Sequence, residues 1–385
     1  MKFFTLLLAA LGCLNLLHAQ DDERRDSNRR FEGTIGEDLK VTLLLETTMG
    51  ENATPSYGGA YHYHKTGIPI RLGQISGTGE TIRFRENESQ DSQGRETFTG
   101  EWAIRLQEDA ISGTWSSRDG KKKLPIKLQE SYPAGSVPAL TTSLEAVQTV
   151  GRNGQKRGFD IKVRYVQLLS KSPEIKAVNQ MLRQDAWNVP VNTEEEPPAP
   201  PQNPSEKDIL ANMLAIPESQ EEGDWEGAYV ESVDDSQRVL MNENGFLTIE
   251  YLTWTYSGGA HGNYTQSYRC FDLKTGKEVY LEDLVRANFE KRWAALGATE
   301  LRVQQGLKPD APLTEAGLFE DQLELNETWF LTPGGIGFSY DPYEIGPYAR
   351  GSIQFVLPWK DILADLEPGT RVFEIASRLA TKGKK

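Results

Sequence analysis

Residues with the capacity for chemistry gather in two glycine-containing turns. The first runs Tyr256-Ser257-Gly258-Gly259-Ala260-His261-Gly262-Asn263-Tyr264. A histidine among small residues is placed to act as a base, a metal ligand or a recognition contact. As a base it needs an orienting partner or a nucleophile within hydrogen-bond reach. Ser257 is near in sequence, but no strand–turn–helix frame follows it to expose a nucleophile. Gly258-Gly259 is followed by neither a lysine–serine pair nor a helix start, so it makes no phosphate loop. The second turn, Asp341-Pro342-Tyr343-Glu344-Ile345-Gly346-Pro347-Tyr348, carries two carboxylates and two tyrosines. Paired carboxylates support glycosidase chemistry at a suitable separation, and spacing within one loop does not set that separation. Tyrosines beside acids also suit recognition of basic surfaces or sugars, while proline and glycine shape such a loop.

Three readings of these turns stay open on residues alone. They are rigid turns filled by their own side chains; or a binding surface formed by Tyr256, Ser257, Gly258, Gly259, His261, Asn263, Tyr264, Asp341, Tyr343, Glu344 and Tyr348; or a hydrolytic site pairing His261 with Asp341 or Glu344. Binding is the expectation taken forward, with no catalytic residue and no cofactor assigned. His62 and His64 form a third group. Alternation puts both on one face of a strand, with Tyr61 and Tyr63 on the other. A zinc site asks for three or four protein ligands, and no cysteine or clear third ligand stands nearby. An exposed strand face, without metal, is therefore expected.

The elements that must position these groups are mostly strands. From Phe31 to Glu130, short alternating runs such as LKVTLLLETT, ETIRFREN and ISGTWSS recur between turn signals such as Gly77-Thr78-Gly79 and Asp119-Gly120. This spacing predicts an antiparallel β-meander that closes into a small barrel or a sandwich, with Trp102 and Trp115 as core anchors. Further on, Phe159 to Leu169 alternates as a strand, and Ser172-Pro173 opens a helix. Strands are expected over 227–233, 246–256 and 263–273, and a helix over 282–305. A hairpin spans Thr332 to Gly335. Runs of strands with helices between them make the class α+β. The expected layout is a signal peptide at 1–19, a flexible leader at 20–30, the β-meander at 31–132 and a linker at 133–158. An α+β region with an antiparallel sheet follows at 159–366, interrupted by an acidic, proline-rich insertion at 194–204, and a tail closes the chain at 367–385.

Lys2, the apolar run Leu6 to Leu17 and Ala19 compose an export signal, so a secreted or periplasmic location is expected. The alternative is lipid attachment at Cys13, because Leu11-Gly12-Cys13 resembles a lipobox. No other segment is long and apolar enough to span a membrane, so the processed chain is expected to lack a transmembrane helix. Cleavage near Ala19 leaves Cys270 without an internal disulfide partner. The formal net charge is −14, and losing Lys2 makes it −15. That balance argues against nonspecific nucleic-acid binding, which needs a basic footprint; it is compatible with a basic partner, whose encounter opposite charge would speed, and equally with solubility alone.

The segments YSGGAHGNY, FDLKTGKEVYLEDL and FLTPGGIGFSYDPYEIGPYARGSIQFVLPWKDI resemble the extracytoplasmic domain of RsiV-type anti-sigma factors. The family trait of those proteins is lysozyme binding. A similar domain occurs beside the catalytic domain of PdaC-type peptidoglycan deacetylases, and Phe159 to Arg183 resembles the smaller domain that precedes it. The resemblance covers residues 159–366. It implies a non-catalytic envelope protein whose partner is a basic protein such as lysozyme, or a peptidoglycan fragment. No metal-binding deacetylase motif accompanies it here. The runs GAYHYHKTGIPIRLGQI and ISGTWSSRDGKKKLPIKL are similar to β-rich modules of secreted bacterial proteins.

Overall fold

A computed structural model of the chain describes residues 26–50, 54–77, 81–87, 89–90, 96–152, 155–188, 199–214 and 230–382. The expected export signal over residues 1–19 with Cys13, residues 20–25 and residues 194–198 of the expected insertion lie outside this set.

The first lobe is a closed antiparallel barrel. Its strands are β1 (Ser27–Ile35), β2 (Leu39–Met49), β3 (Pro55–Tyr63), β4 (Ile70–Ser76) and β5 (Ile82–Glu86). After a small ribbon, β6 (Ser89–Gln90) with β7 (Glu96–Thr97), come β8 (Gly100–Leu106), β9 (Ala110–Ser117) and β10 (Lys123–Glu130). Each barrel strand pairs with the next, and β10 returns to β1 through pairs from Phe31↔Glu130 to Ile35↔Ile126. Closure pairs what would otherwise be two open edges. The seam is tight at Gly33, where a Cβ would lie 2.0 Å from the Lys127 carbonyl oxygen. Alternate residues fill the interior, including Phe31, Leu43, Tyr61, Phe84, Trp102, Ile111 and Leu128.

The strand β1 begins inside the expected leader. Arg30, which reads as solvated, is buried; its guanidinium donates to the Asn242 and Ser131 carbonyls and pairs with Glu32. Residues 133–138 do connect two lobes, but residues 139–152 and 155–158 of the expected linker are strand. Here β11 (Ala139–Arg152) pairs along its length with β12 (Gln155–Leu168). The sheet continues through β13 (Val230–Glu243), β14 (Phe246–Tyr256), β15 (Asn263–Asp272) and the short β16 (Lys277–Val279). One pairing corrects the expected antiparallel sheet: β12 and β13 run parallel. A parallel partner requires a long crossover, and α1 (Pro173–Trp187) and α2 (Glu206–Leu214) lie in that connection. Ser172 caps α1 by accepting from the Ile175 N–H at 3.3 Å. The strand β13 runs far beyond residue 233 because its polar centre is satisfied. Gln237 accepts from the Val166 N–H and donates to the Leu182 carbonyl.

The remaining elements cover one face of β13–β15. They are α3 (Glu290–Gln304), the three-stranded sheet β17 (Trp329–Thr332), β18 (Gly335–Tyr340) and β19 (Ile353–Pro358), then α4 (Trp359–Ile362) and α5 (Arg371–Lys382). Residues 282–289, expected to be helical, instead hold most of a 3-10 turn (Leu281–Asp283) and a left-handed step at Asn288, so α3 starts at Glu290. The expected tail is largely α5. Val372 and Ala376 are buried in the core with Trp293, Phe338 and Leu366, and Arg371 pairs with Asp272. Among the described residues no helix is long and apolar enough to cross a membrane.

Candidate functional site

The first turn closes the β14–β15 hairpin. Trp254 pairs with Tyr264 and Thr255 with Asn263. Gly258 and Gly259 take positive φ values of 101° and 93°, a conformation that excludes most side chains. The Tyr256 hydroxyl donates to the Gly259 carbonyl at 3.1 Å. Gly262 lies under the Trp254 indole, where a Cβ would stand 2.6 Å from the ring.

The second turn leaves the end of β18. The Asp341 N–H donates to Glu344 Oε2 at 2.9 Å, and the Asn326 amide donates to Glu344 Oε1 at 2.8 Å. Asp341 Oδ1 accepts from the Gln266 N–H of β15 at 2.8 Å, which ties the loop to the large sheet. Burial pushes the Asp341 carboxyl above its usual range, against the effect of that hydrogen bond. Tyr343 is 57% exposed and has a φ of 73°, rare for a residue with a side chain. Strain of that kind collects at ligand-contacting positions. Tyr343→Gly is expected to leave the protein about 1 kcal/mol more stable than Tyr343→Ala. Both remove the ring, so the difference in urea midpoints isolates the backbone; equal midpoints would refute the strain.

The two turns meet. The His261 ring stacks on Tyr348 at a centroid distance of 4.5 Å, and the Tyr348 hydroxyl donates to the Gly262 carbonyl at 2.9 Å. Tyr343 lies 5.6 Å from Tyr348 on centroids, and Tyr264 lies 6.3 Å away, edge to face. The Ser352 N–H donates to the Tyr264 hydroxyl at 3.0 Å. His261, Tyr264, Tyr343 and Tyr348 thus form one aromatic cluster, braced by Asp341 and Glu344. Asn263 points to the other face of β15, by alternation with Tyr264. Ser257 is exposed on the turn and has no place in the stack. Trp254, Gln266 and Ser352 belong to the site's frame although their sequence context does not single them out. For Trp254 a usable signal existed: it stands two residues before Tyr256 on the same strand face, and the rings stack at 6.4 Å.

The hydrogen bonds in this cluster hold shape. His261 Nδ1 lies 2.8 Å from the Gly262 carbonyl oxygen, which accepts only, so Nδ1 bears the proton. Asp341 and Glu344 are engaged by backbone N–H groups and by Asn326. A hydrolytic pairing of His261 with either acid would need those bonds released.

The histidine pair differs from the exposed face expected of it. His62 is buried, with Nε2 3.5 Å from Glu243 Oε2, and only His64 is exposed, its Nε2 2.9 Å from the Thr42 hydroxyl. The outer face of β3 is covered by the second lobe, which sequence spacing does not register. Among the described residues no group of three or more His, Cys, Asp or Glu side chains is placed to hold a metal ion. Burial, reinforced by His64 and Arg30, lowers the His62 pKa to about 3. Glu243 does not reverse this, because burial raises its own pKa and Arg30 engages it.

An unfolded histidine titrates near 6.5, so the folded state binds fewer protons below that pH. Stability from neutral His62 is complete above pH 6.5 and declines as pH falls toward 3. Between pH 7 and 5 it is expected to cost about 2 kcal/mol. Asp235, raised by burial to about 6, acts in the opposite sense between its unfolded value and 6. The measurement is therefore the difference in unfolding free energy between the protein and His62→Gln across that range. A flat difference would contradict a buried neutral His62.

Fold and site together define the C-terminal part as an α+β module with an exposed aromatic cluster at joined turns. Residues 274–360 match the family described as protein of unknown function DUF3298. That segment holds the second turn and ends in α4; the first turn precedes it. A DUF3298 family member from Bacteroides fragilis NCTC 9343 is similar at 18% identity and a TM-score of 0.47, covering 63% of this chain and 99% of that one. A DUF3298 family protein from Pseudomonas aeruginosa PAO1 is similar at 18% identity and a TM-score of 0.42, covering 60% of this chain and 95% of the other. No curated protein matches.

Proposed function

We propose that this chain is an exported, non-catalytic recognition protein of the bacterial cell envelope. Its joined turns bind a lysozyme-like protein or a peptidoglycan fragment. The observation that carries this reading is the stack of His261 on Tyr348, locked by the Tyr348 hydroxyl on the Gly262 carbonyl. Two turns far apart in sequence are held as one rigid surface, with Tyr343 projecting from it. Rigid exposed aromatics lose little side-chain entropy on binding and dominate interface energetics. The net charge of −14 favours encounter with a basic protein. The resemblance of the turn sequences to the RsiV-type domain supports lysozyme as the first partner to try. The leading residues 1–19, which have the composition of an export signal, support the location.

The test titrates the purified chain with lysozyme and with soluble peptidoglycan fragments by calorimetry. Tyr348→Ala is expected to weaken binding by about 2 kcal/mol, or ~30-fold, as for a central aromatic anchor. Tyr348→Phe keeps the ring and should lose far less. Absence of binding to both ligands at micromolar concentration overturns the reading.

A further inference from the structure

Strand register aligns five side chains in one row across the large sheet. Glu145 pairs with Lys162, Lys162 with Asp234, Asp234 with Trp254 and Trp254 with Tyr264. Directly paired residues on neighbouring strands share a face. The adjacent row on that face is Val147, Asp160, Ser232 and Tyr256. The opposite face carries Leu144, Ile161, Val163 and Val233, which are covered by Ala186 of α1 and by Ile209 and Met213 of α2. On the first face the Tyr264 end is bounded by Tyr348 and Ser352, and away from it Trp254 is 38% exposed and Val147 70%.

The chemistry of this face is specific in two respects. Its charges are interleaved: Lys162 Nζ lies 3.2 Å from Glu145 Oε1 and 3.9 Å from Asp160 Oδ2, and Arg164 pairs with Asp234. Acids and bases neutralise one another locally, so a polyanion or polycation gains little field there. They nevertheless present donors and acceptors held in place by their own ion pairs. Its rings are nearly parallel: the planes of Trp254 and Tyr256 differ by 11°. The indole is held against Gly262, so its position is set by the backbone. The complement of such a surface is a molecule with an apolar ring face and a hydroxylated edge, carrying no net charge. A pyranose has both. Its C–H face lies on an aromatic plane, and its hydroxyls exchange hydrogen bonds with carboxylate and ammonium groups.

We propose that the open face of β11–β15, centred on Trp254 and the Asp234–Lys162–Glu145 row, is a binding site for an uncharged oligosaccharide. It borders the stacked turns at Trp254, Tyr256 and Tyr264, but its Asp234–Lys162–Glu145 row lies outside them, and it stands or falls separately from the recognition role assigned to them.

The full chain is titrated with cellohexaose and with N-acetylchitohexaose, following tryptophan fluorescence and heat. Saturable binding is expected with at least one of them. Trp254→Ala should weaken it about tenfold or more, while Trp254→Tyr, which keeps an aromatic plane, should lose much less. The double change Glu145→Ala with Lys162→Ala should weaken binding several-fold, and raising salt should have little effect because no net charge is neutralised. Tyr348→Ala should leave glycan binding intact, as the double change Glu145→Ala with Lys162→Ala should leave lysozyme binding intact. Absence of saturation with both glycans at millimolar concentration overturns the proposal, as does binding that Trp254→Ala does not change. Self-association abolished by Trp254→Ala, without glycan binding, would assign the face to a second copy of the chain and equally overturn it.

Discussion

Replacing Glu86 by leucine is expected to destabilise the barrel by about 3–5 kcal/mol. Glu86 ends β5 with its carboxylate inside the barrel, 2% exposed. Oε1 accepts from the Tyr61 hydroxyl at 2.6 Å, from the Trp102 indole at 2.8 Å and from the Trp115 indole at 2.6 Å. Oε2 accepts from the Thr99 hydroxyl at 3.1 Å. One carboxylate therefore satisfies four donors from β3, β8, β9 and the approach to β8. Leucine restores apolar volume but strands two indole N–H groups and a buried phenol, and each stranded donor costs about 1–3 kcal/mol. Glutamine retains one accepting oxygen and should cost less. Adding Trp115→Phe to Glu86→Leu removes one stranded donor, so the double variant should lose less than the sum of its parts. Urea denaturation followed by tryptophan fluorescence measures all of these. A Glu86→Leu protein with an unchanged midpoint would show that the carboxylate is dispensable to the barrel.

The second large effect lies between the lobes. Arg71 of β4 grips Glu250 of β14 through Nη1 and Nη2, one on each carboxylate oxygen. Glu250 is 2% exposed and also accepts from the Tyr268 hydroxyl at 2.9 Å and from the Gln266 amide at 3.2 Å. Burial drives its carboxyl upward, but Arg71 and these donors outweigh burial and hold it below the ordinary value. Arg71→Met leaves that anion without its cation. The expected cost is about 2–3 kcal/mol, below the full range for a buried pair because Arg71 is itself partly exposed. Adding Glu250→Gln should recover part of the loss. Because the folded pKa lies below the unfolded one, this contribution is complete above pH 4.5 and fades as pH falls through the folded value. The same cluster runs to the second turn: Gln354 bonds Gln266 and Tyr268, and the Gln266 N–H donates to Asp341. Amide hydrogen exchange at Gln266 should therefore quicken in Arg71→Met. Unchanged exchange there would separate the lobe contact from the recognition loop.

Neither Glu86 nor Glu250 stands out in sequence. Glu86 reads as the polar end of an alternating strand, and Glu250 as one charge in an aromatic run. Their meaning depends on donors tens to nearly two hundred residues away. His62 shows the same limit in another form. Alternation correctly sets it opposite Tyr61, yet only the second lobe makes its face an interior one. The candidate turns were easier to find because glycine, proline, tyrosine and histidine cluster there within a few residues. That they touch follows from the placement of β18 and β19 over β15, which no local spacing encodes.

By itself the sequence determined what depends on near neighbours. Period-two alternation marks the barrel strands and the β14–β15 hairpin; Ser172-Pro173 marks the start of α1; the Gly258-Gly259 pair marks a turn that needs positive φ. Tertiary structure alone decided the closure of β10 on β1, the parallel pairing of β12 with β13, the α5 helix in place of a tail, and the stacking of His261 on Tyr348. The physical reason is the range of the interactions. Alternation and turn chemistry act over a few residues. Strand register, closure and the pairing of buried charge become favourable only when distant segments exclude water together.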